Sequence, residues 1–425
     1  MAAESKSASP PDASTEGVVR SWAAKLRANL FGSVLPFWRE HSFDGEHGGF
    51  FDCLDEDGDV YDTTKHVWLQ GRQVWMYCRI INMLRTSTDA SVEERKQTAR
   101  LFEQAEQGIN FLRRHATAAN GHVYFALASD GTPAQMQRKP FSACFLAMAL
   151  SEWARTLPAD DPRAVAVLQD AQDVTQRMLG WTRTPGALGK ESLPGSPKLA
   201  PLAVPMMVVC VVKDLVRGRP ELGKLEVYTT AVARAVAEIK SHVHAERKMV
   251  LENVGPGGEY HDSIEGRQLN PGHAIECGWF LLQHANETED AELRDLALRV
   301  IQWSFERGWD TKHGGIWYFL DAAGRSPVQL EWNMKLWWPH CEAMIAFALA
   351  FVTTHERKYL DEFVRVSEYA FSHFVDAEHG EWYGYLNEEG RVTHRFKGGP
   401  YKGCFHVPRA LLMCSELLAQ YSKQR

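Results

Sequence analysis

No stretch of the sequence reaches the ~18 consecutive apolar residues that a membrane-spanning helix requires. A basic stripe is missing as well. The 425 residues hold 47 Lys and Arg against 54 Asp and Glu, a net charge of -7, which argues against a phosphate backbone as partner. Neither a membrane nor a nucleic acid is therefore expected. The eight cysteines include no Cys-x-x-Cys pair, and most lie in apolar surroundings such as Met76-Tyr77-Cys78. They read as reduced thiols of a cytoplasmic protein. His-Glu-x-x-His, Gly-x-Ser-x-Gly and dinucleotide fingerprints are all absent. The run from Asp55 to Asp59 looks like a calcium loop, but its glycine falls fourth and its twelfth position is His66 rather than Glu. Gly186 to Lys190 lacks the Ser or Thr of a phosphate loop. Nothing here asks for a metal or a nicotinamide.

What the sequence does contain is a repeated punctuation. Asp44-x-x-His47-Gly48, Asp310-x-x-His313-Gly314 and Asp376-x-x-His379-Gly380 share one pattern, and each is followed ten residues later by Gly58, Gly324 or Gly390. Gly121 and Gly131 keep that spacing, while Gly186/Gly195 and Gly257/Gly266 are looser. The aromatic and aliphatic residues between the glycines predict short β-hairpins. Six such units argue for one supersecondary element used six times.

Between the hairpins, two kinds of helix alternate. Segments near 67–84, 142–155, 201–216, 273–285, 337–353 and 405–420 are apolar nearly all round, as buried helices are. Segments near 18–39, 92–114, 163–180, 224–243, 290–307 and 357–374 carry one apolar face. The pattern predicts an all-α fold, an (α/α)6 toroid of six inner and six outer helices with short hairpins at one mouth. Residues 1–17, rich in Ser, Ala and Pro, read as a disordered tail, and 18–425 as a single catalytic domain.

If the hairpins form one mouth, each inner helix starts beside it. Counted from the first glycine of its unit, Arg72 falls at +24, His340 and Glu342 at +26 and +28, and His406 and Arg409 at +26 and +29. The fourth unit reaches its helix sooner, through Asn270-Pro271-Gly272-His273 and then Glu276. Arg, His and Glu converging on one pocket suit proton transfer through an anionic intermediate. In this reading Glu276 orients His273 as acid or base. A cap at His273 and a structural ion pair at Arg72 are the plainer readings. Trp68, Trp337, Trp338 and Trp382 would suit stacking on a sugar ring, or packing in the core. His47, His313 and His379 repeat at scaffold positions and read as turn-stabilising.

These residues carry a resemblance. His66-Val67-Trp68-Leu69-Gln70-Gly71-Arg72-Gln73, Asn270-Pro271-Gly272-His273, Lys335-Leu336-Trp337-Trp338-Pro339-His340 and Gly403-Cys404-Phe405-His406-Val407-Pro408-Arg409 closely resemble the N-acylglucosamine 2-epimerase family, whose animal members are also described as renin-binding protein. The resemblance implies an (α/α)6 barrel that interconverts N-acetylglucosamine and N-acetylmannosamine. It carries the essential roles to Arg72, His273, Glu342 and His406. Around them Glu276, His340, Trp338, Asn270, Lys335 and Arg409 are the candidates to bind substrate. No cofactor would be consumed and no metal held. ATP as an activator, a homodimer and a contact with renin are implied by the family alone. Two other readings stay open: an inverting glycoside hydrolase using Glu276 and Glu342, and a binding protein for renin without catalysis.

Overall fold

The computed structural model describes residues 14–184, 186–189, 195 and 198–423. The first helices are α1 (Thr15–Asn29), α2 (Leu35–His41), α3 (Val67–Thr86), α4 (Val92–Lys96) and α5 (Thr98–His115). They are followed by α6 (Phe141–Thr156), α7 (Pro162–Arg183), α8 (Ala203–Val216), α9 (Pro220–Gly223) and α10 (Glu226–Ser241). The last are α11 (Pro271–Thr288), α12 (Ala291–Gly308), α13 (Trp337–Thr354), α14 (Arg357–His373) and α15 (His406–Lys423). Helices α3, α6, α8, α11, α13 and α15 pack each against the next, and α15 returns to α3. Outside them lie α5, α7, α10, α12, α14 and, against α15, α1. This is the expected (α/α)6 toroid.

Composition explains which helix goes where. In α13, small residues (Ala343, Ala346, Ala348, Ala350) alternate with Met344, Ile345 and Phe347, all buried, so neighbours approach from every side. In α14 the buried set is Tyr359, Leu360, Phe363, Val366, Ser367, Tyr369 and Ala370, a single stripe of helical period. Two helix boundaries differ from the sequence reading. The expected helix at 18–39 is broken by a π-turn, Leu30–Val34, that ends two residues before Pro36, whose missing N–H cannot continue the ladder. The one at 92–114 divides into α4, started by a Ser91–Glu94 capping box, and α5. Of the expected N-terminal tail, residues 1–13 lie outside the described residues. Ser14 already caps α1 by accepting from the Gly17 N–H.

The paired glycines mark two turns rather than one hairpin. The first closes a tight bridge at the end of an outer helix, Phe43 to Phe50, Trp309 to Ile316 and Val375 to Trp382. The second turns a true hairpin, as Gly58 does between Cys53–Leu54 and Val60–Asp62. The strand leading into an inner helix then pairs with the hairpin of the next unit. Lys65–His66 joins Tyr124–Leu127, and Lys335–Leu336 joins Tyr385–Leu386. The expected Gly186/Gly195 hairpin falls partly outside the described residues.

The Asp-x-x-His-Gly motif is scaffold, built around buried charge. One carboxylate oxygen of Asp44, Asp310 and Asp376 accepts backbone N–H groups two or three residues on. The other takes a lysine ammonium, Lys65 at 2.6 Å and Lys335 and Lys397 at 2.7 Å, each side chain fully buried. Lys335, expected to bind substrate, is spent here, because an ammonium out of water needs a carboxylate at contact distance. Trp382, considered for sugar stacking, is also fully buried, and its Nε1–H donates to Asn29 Oδ1 at 2.8 Å. With the Tyr61 hydroxyl donating to the Gly398 carbonyl at 2.8 Å, it ties the first unit to the last and closes the ring.

Candidate active site

The links from outer to inner helices carry the described hairpins and short strand pairs, and the first turns of α3, α6, α8, α11, α13 and α15 border one mouth. A cavity of about 690 Å³ lies there, bounded by the first turns of the inner helices and by hairpin loops. Arg72, Glu276 and Glu342 are each the sixth residue of their helices α3, α11 and α13, and form a common level. Counting from the glycines aligned the units less well. Helix α13 begins three residues sooner after its glycine than α15 does, so His340 and His406 share an offset but not a position.

His406 opens α15, and its Nδ1 lies 2.7 Å from Glu342 Oε1. Glu342 is fully buried behind the cavity wall, with its Oε1 also receiving Arg409 Nη2 at 2.5 Å and its Oε2 the Trp279 Nε1–H at 2.9 Å. With those contacts filled it cannot hold a sugar hydroxyl; it orients His406 by accepting the Nδ1 proton. Nε2 is then left as the basic nitrogen. Burial first, then the Arg409 and Arg72 charges, pull the His406 pKa well below the ordinary histidine value. A lowered pKa favours the neutral imidazole, whose Nε2 lone pair is open to a proton from the cavity.

His273 is poised the other way. Its Nδ1 sits 3.0 and 3.1 Å from the two oxygens of Glu252. Burial lowers its pKa, but the Glu252 charge and hydrogen bond, with Glu276 and Glu342 further off, more than offset this and raise it. The carboxylate expected to orient His273, Glu276, instead accepts from Arg409 Nη2 at 2.9 Å. One turn deeper on α11, it faces α15 rather than the hairpin above His273.

Asn270 does not reach the cavity. It caps α11, accepting from the His273 N–H at 3.1 Å, and Pro271 follows at the first helical turn. Gly272 has no side chain for a reason: a Cβ there would lie 2.6 Å from the Trp338 ring. Trp338 therefore packs its ring edge against the first turn of α11, tilted to the two histidines and 5.2 Å from His273 and 5.9 Å from His406 by ring centroids. Trp68, Tyr318, Trp337, Tyr385 and Tyr401 extend this aromatic wall.

Arg72 lies among aromatic rings, with Glu276 and Glu342 near enough to act on its charge but not paired with it. Its guanidinium carbon lies 4.1 Å from the Phe145 ring centroid and 5.1 Å from those of Trp68 and Phe405. Among the described residues it makes no ion pair, and its buried Nε has no hydrogen-bond partner. Burial chiefly, and Arg409 beside it, bring its pKa down to about 10. The group remains a cation aimed at the cavity and suited to an oxyanion.

His340 is not part of the site. Its Nε2 accepts the Ile316 N–H at 2.9 Å, its Nδ1 lies 2.6 Å from the Leu336 carbonyl, and it stacks on Tyr369. Burial brings its pKa down to about 3, so it stays a neutral structural link. Glu276, Glu342 and His406 come close enough together for a cation. The Arg409 guanidinium bridges both carboxylates there and supplies the positive charge. Sequence reasoning missed Glu252 because it is 21 residues from His273. Its one signal was a lone acid after the apolar Met249-Val250-Leu251.

Paired acid–base groups beside an aromatic wall at the mouth of a helical toroid define a sugar-converting barrel. The fold agrees with that of a cellobiose 2-epimerase from Spirochaeta thermophila at a TM-score of 0.75, with 21% identity, over 96% of this chain and 99% of that one. The sequence family profile of N-acylglucosamine 2-epimerase (GlcNAc 2-epimerase) matches residues 49–410. N-acylglucosamine 2-epimerase of Mus musculus is 44% identical over 402 residues, 93% of this chain and 92% of the relative. That of Homo sapiens is 43% identical over 406 residues, 94% and 91% of the two chains. The chain belongs to the N-acylglucosamine 2-epimerase family. Among the described residues no helix is long and apolar enough to cross a membrane.

Proposed function

We propose that this chain interconverts N-acetylglucosamine and N-acetylmannosamine by moving the C2 proton of the open-chain sugar. The observation that carries this reading is one cavity that brings two histidines together, each with its Nδ1 on its own carboxylate, His406 on Glu342 at 2.7 Å and His273 on Glu252 at 3.0 Å. Once the aldehyde is free at C1, one imidazole takes the C2 proton and an enolate forms. The other imidazole returns a proton to the opposite face, inverting the centre. The reverse reaction exchanges the two roles. Because the proton that leaves is replaced, no oxidant or other cofactor is consumed. Arg72 stabilises the enolate oxygen, and Trp338 offers its face to the chain of carbons between the histidines.

The hydrolase reading needs one carboxyl as acid and another as base, with a water between them. Here Arg409 ties Glu276 to Glu342, and Glu342 is sealed from the cavity. The test is incubation of N-acetylglucosamine with the protein in D2O, followed by proton NMR. Deuterium at C2 of both epimers is the expected result, and unchanged sugar, with or without ATP, sinks the proposal. Liberation of reducing ends from an oligosaccharide would favour the hydrolase.

Two variants probe the roles. Arg72→Met should lower kcat by about 10²–10³, the usual loss when one oxyanion donor is removed. A change confined to KM would show that Arg72 only binds substrate. Glu252→Gln removes the charge that lifts the His273 pKa and leaves the burial that lowers it. The alkaline limb of the kcat/KM profile should therefore move to lower pH, since His273 loses its proton sooner. A limb that stays in place would disconnect Glu252 from the reaction.

A further inference from the structure

Aromatic residues line much of the cavity, among them Trp68 of α3 and Trp338 of α13, and one side of it carries no charged group at all. Helices α3, α11 and α15 present Arg72, His273, Glu276, His406 and Arg409. Helix α8 lines the same cavity with Ala203, Met206, Met207 and Cys210, spaced i, i+3, i+4 and i+7 along one helical face, and α6 adds Phe141 and Phe145. The wall borders the reacting groups directly. The Phe145 ring lies 4.1 Å from the Arg72 guanidinium, and Cys210 is within electrostatic reach of Arg409 and Glu276.

We infer that this α6–α8 wall receives the N-acyl group of the substrate and selects N-acylated sugars over sugars with a free 2-hydroxyl. The inference rests on the epimerase reading above. An N-acylhexosamine carries hydroxyls around its chain and one methyl-bearing substituent, on C2. C2 is also the carbon whose proton moves, so its substituent must lie beside Arg72 and the histidines, where the apolar surface begins. Glucose leaves this wall unfilled, since its 2-hydroxyl takes the place of the amide nitrogen and carries nothing beyond it to bury against Met, Phe and a thiol. The acyl methyl gains by the same contact. Two methionines in the wall adjust their shape at little cost, so the acyl chain can lengthen without losing the fit.

The test compares C2 proton exchange in D2O for N-acetylglucosamine, N-propanoylglucosamine and glucose. The unaltered protein should handle the two acylated sugars within about tenfold of each other and glucose about 10²-fold less well, the usual reach of an apolar pocket left unfilled. Cys210→Phe fills the wall and should lower kcat/KM for the propanoyl sugar about tenfold more than for the acetyl sugar. Met207→Ala enlarges it and should move that ratio the opposite way, which also serves if the phenylalanine variant does not fold. A merely structural effect would change both acylated substrates alike. An unchanged ratio in the folded variants, or glucose exchanging as fast as N-acetylglucosamine, overturns the acyl wall while leaving the epimerase reading intact. No exchange with N-acetylglucosamine in the unaltered protein overturns the epimerase reading itself.

Discussion

His406→Asn should abolish net epimerisation, with a loss of about 10²–10⁴ in kcat/KM, the contribution usual for a positioned general base. Asparagine can keep a hydrogen bond to Glu342, so the packing of α15 should survive while the basic nitrogen is lost. The informative measurement is isotope exchange run separately on the two epimers in D2O. Two bases on opposite faces of C2 predict that each single-histidine variant exchanges at most one epimer. His273→Asn should spare the epimer that His406→Asn loses. Exchange of both epimers by both variants would mean that neither histidine is tied to a face. The pattern would also assign each histidine to its side of the substrate.

Lys402→Met should destabilise the chain by about 3–5 kcal/mol, the cost of stranding one partner of a buried ion pair. Lys402 Nζ lies 2.8 Å from Glu381 Oε1, and neither side chain is exposed to solvent. Glu381 also receives the Trp38 Nε1–H at 2.6 Å, a contact that cannot neutralise a carboxylate by itself. The backbone adds to the case. Glu381 has a φ of 58°, in the left-handed region where the corresponding positions of the other two motifs hold Gly49 and Gly315. A non-glycine residue there is uncommon, and the surrounding structure must hold it in place. The double variant Glu381→Gln, Lys402→Met removes both charges and should recover most of the loss. Urea unfolding followed by fluorescence measures both effects. A single variant as stable as the unaltered protein would show that the pair contributes nothing, and a double variant no better than the single would assign the cost to packing.

The location of the pocket was legible because helix periodicity is local. Apolar residues all round a segment, as in α13, mark an inner helix whatever its partners, and a polar residue in its first turns must face a cavity or a counter-ion. That logic found Arg72, His273, Glu276, Glu342, His406 and Arg409. It could not tell which of the two a residue faces. Lys335 and His340 obey the same pattern, yet one is bound to Asp310 and the other to the backbone of Ile316 and Leu336. Glu342 was picked out as a candidate, but its place behind His406 depends on how α13 and α15 pack. Asn270, expected to bind substrate, is a helix cap, a role that its neighbours Pro271 and Gly272 suit.

The sequence by itself determined the six-fold alternation of buried and half-buried helices, the hairpin punctuation and the family, because each is written in spacing along the chain. Tertiary structure decided the partnerships. It set Glu252 rather than Glu276 on His273, placed Arg409 between two carboxylates, and left Arg72 among aromatic rings, paired with none. Those choices move the pKa values of the two histidines in opposite directions, His406 down and His273 up. They depend on distances between side chains far apart in sequence, and on the burial that makes each charge costly, and neither quantity is carried by residue spacing.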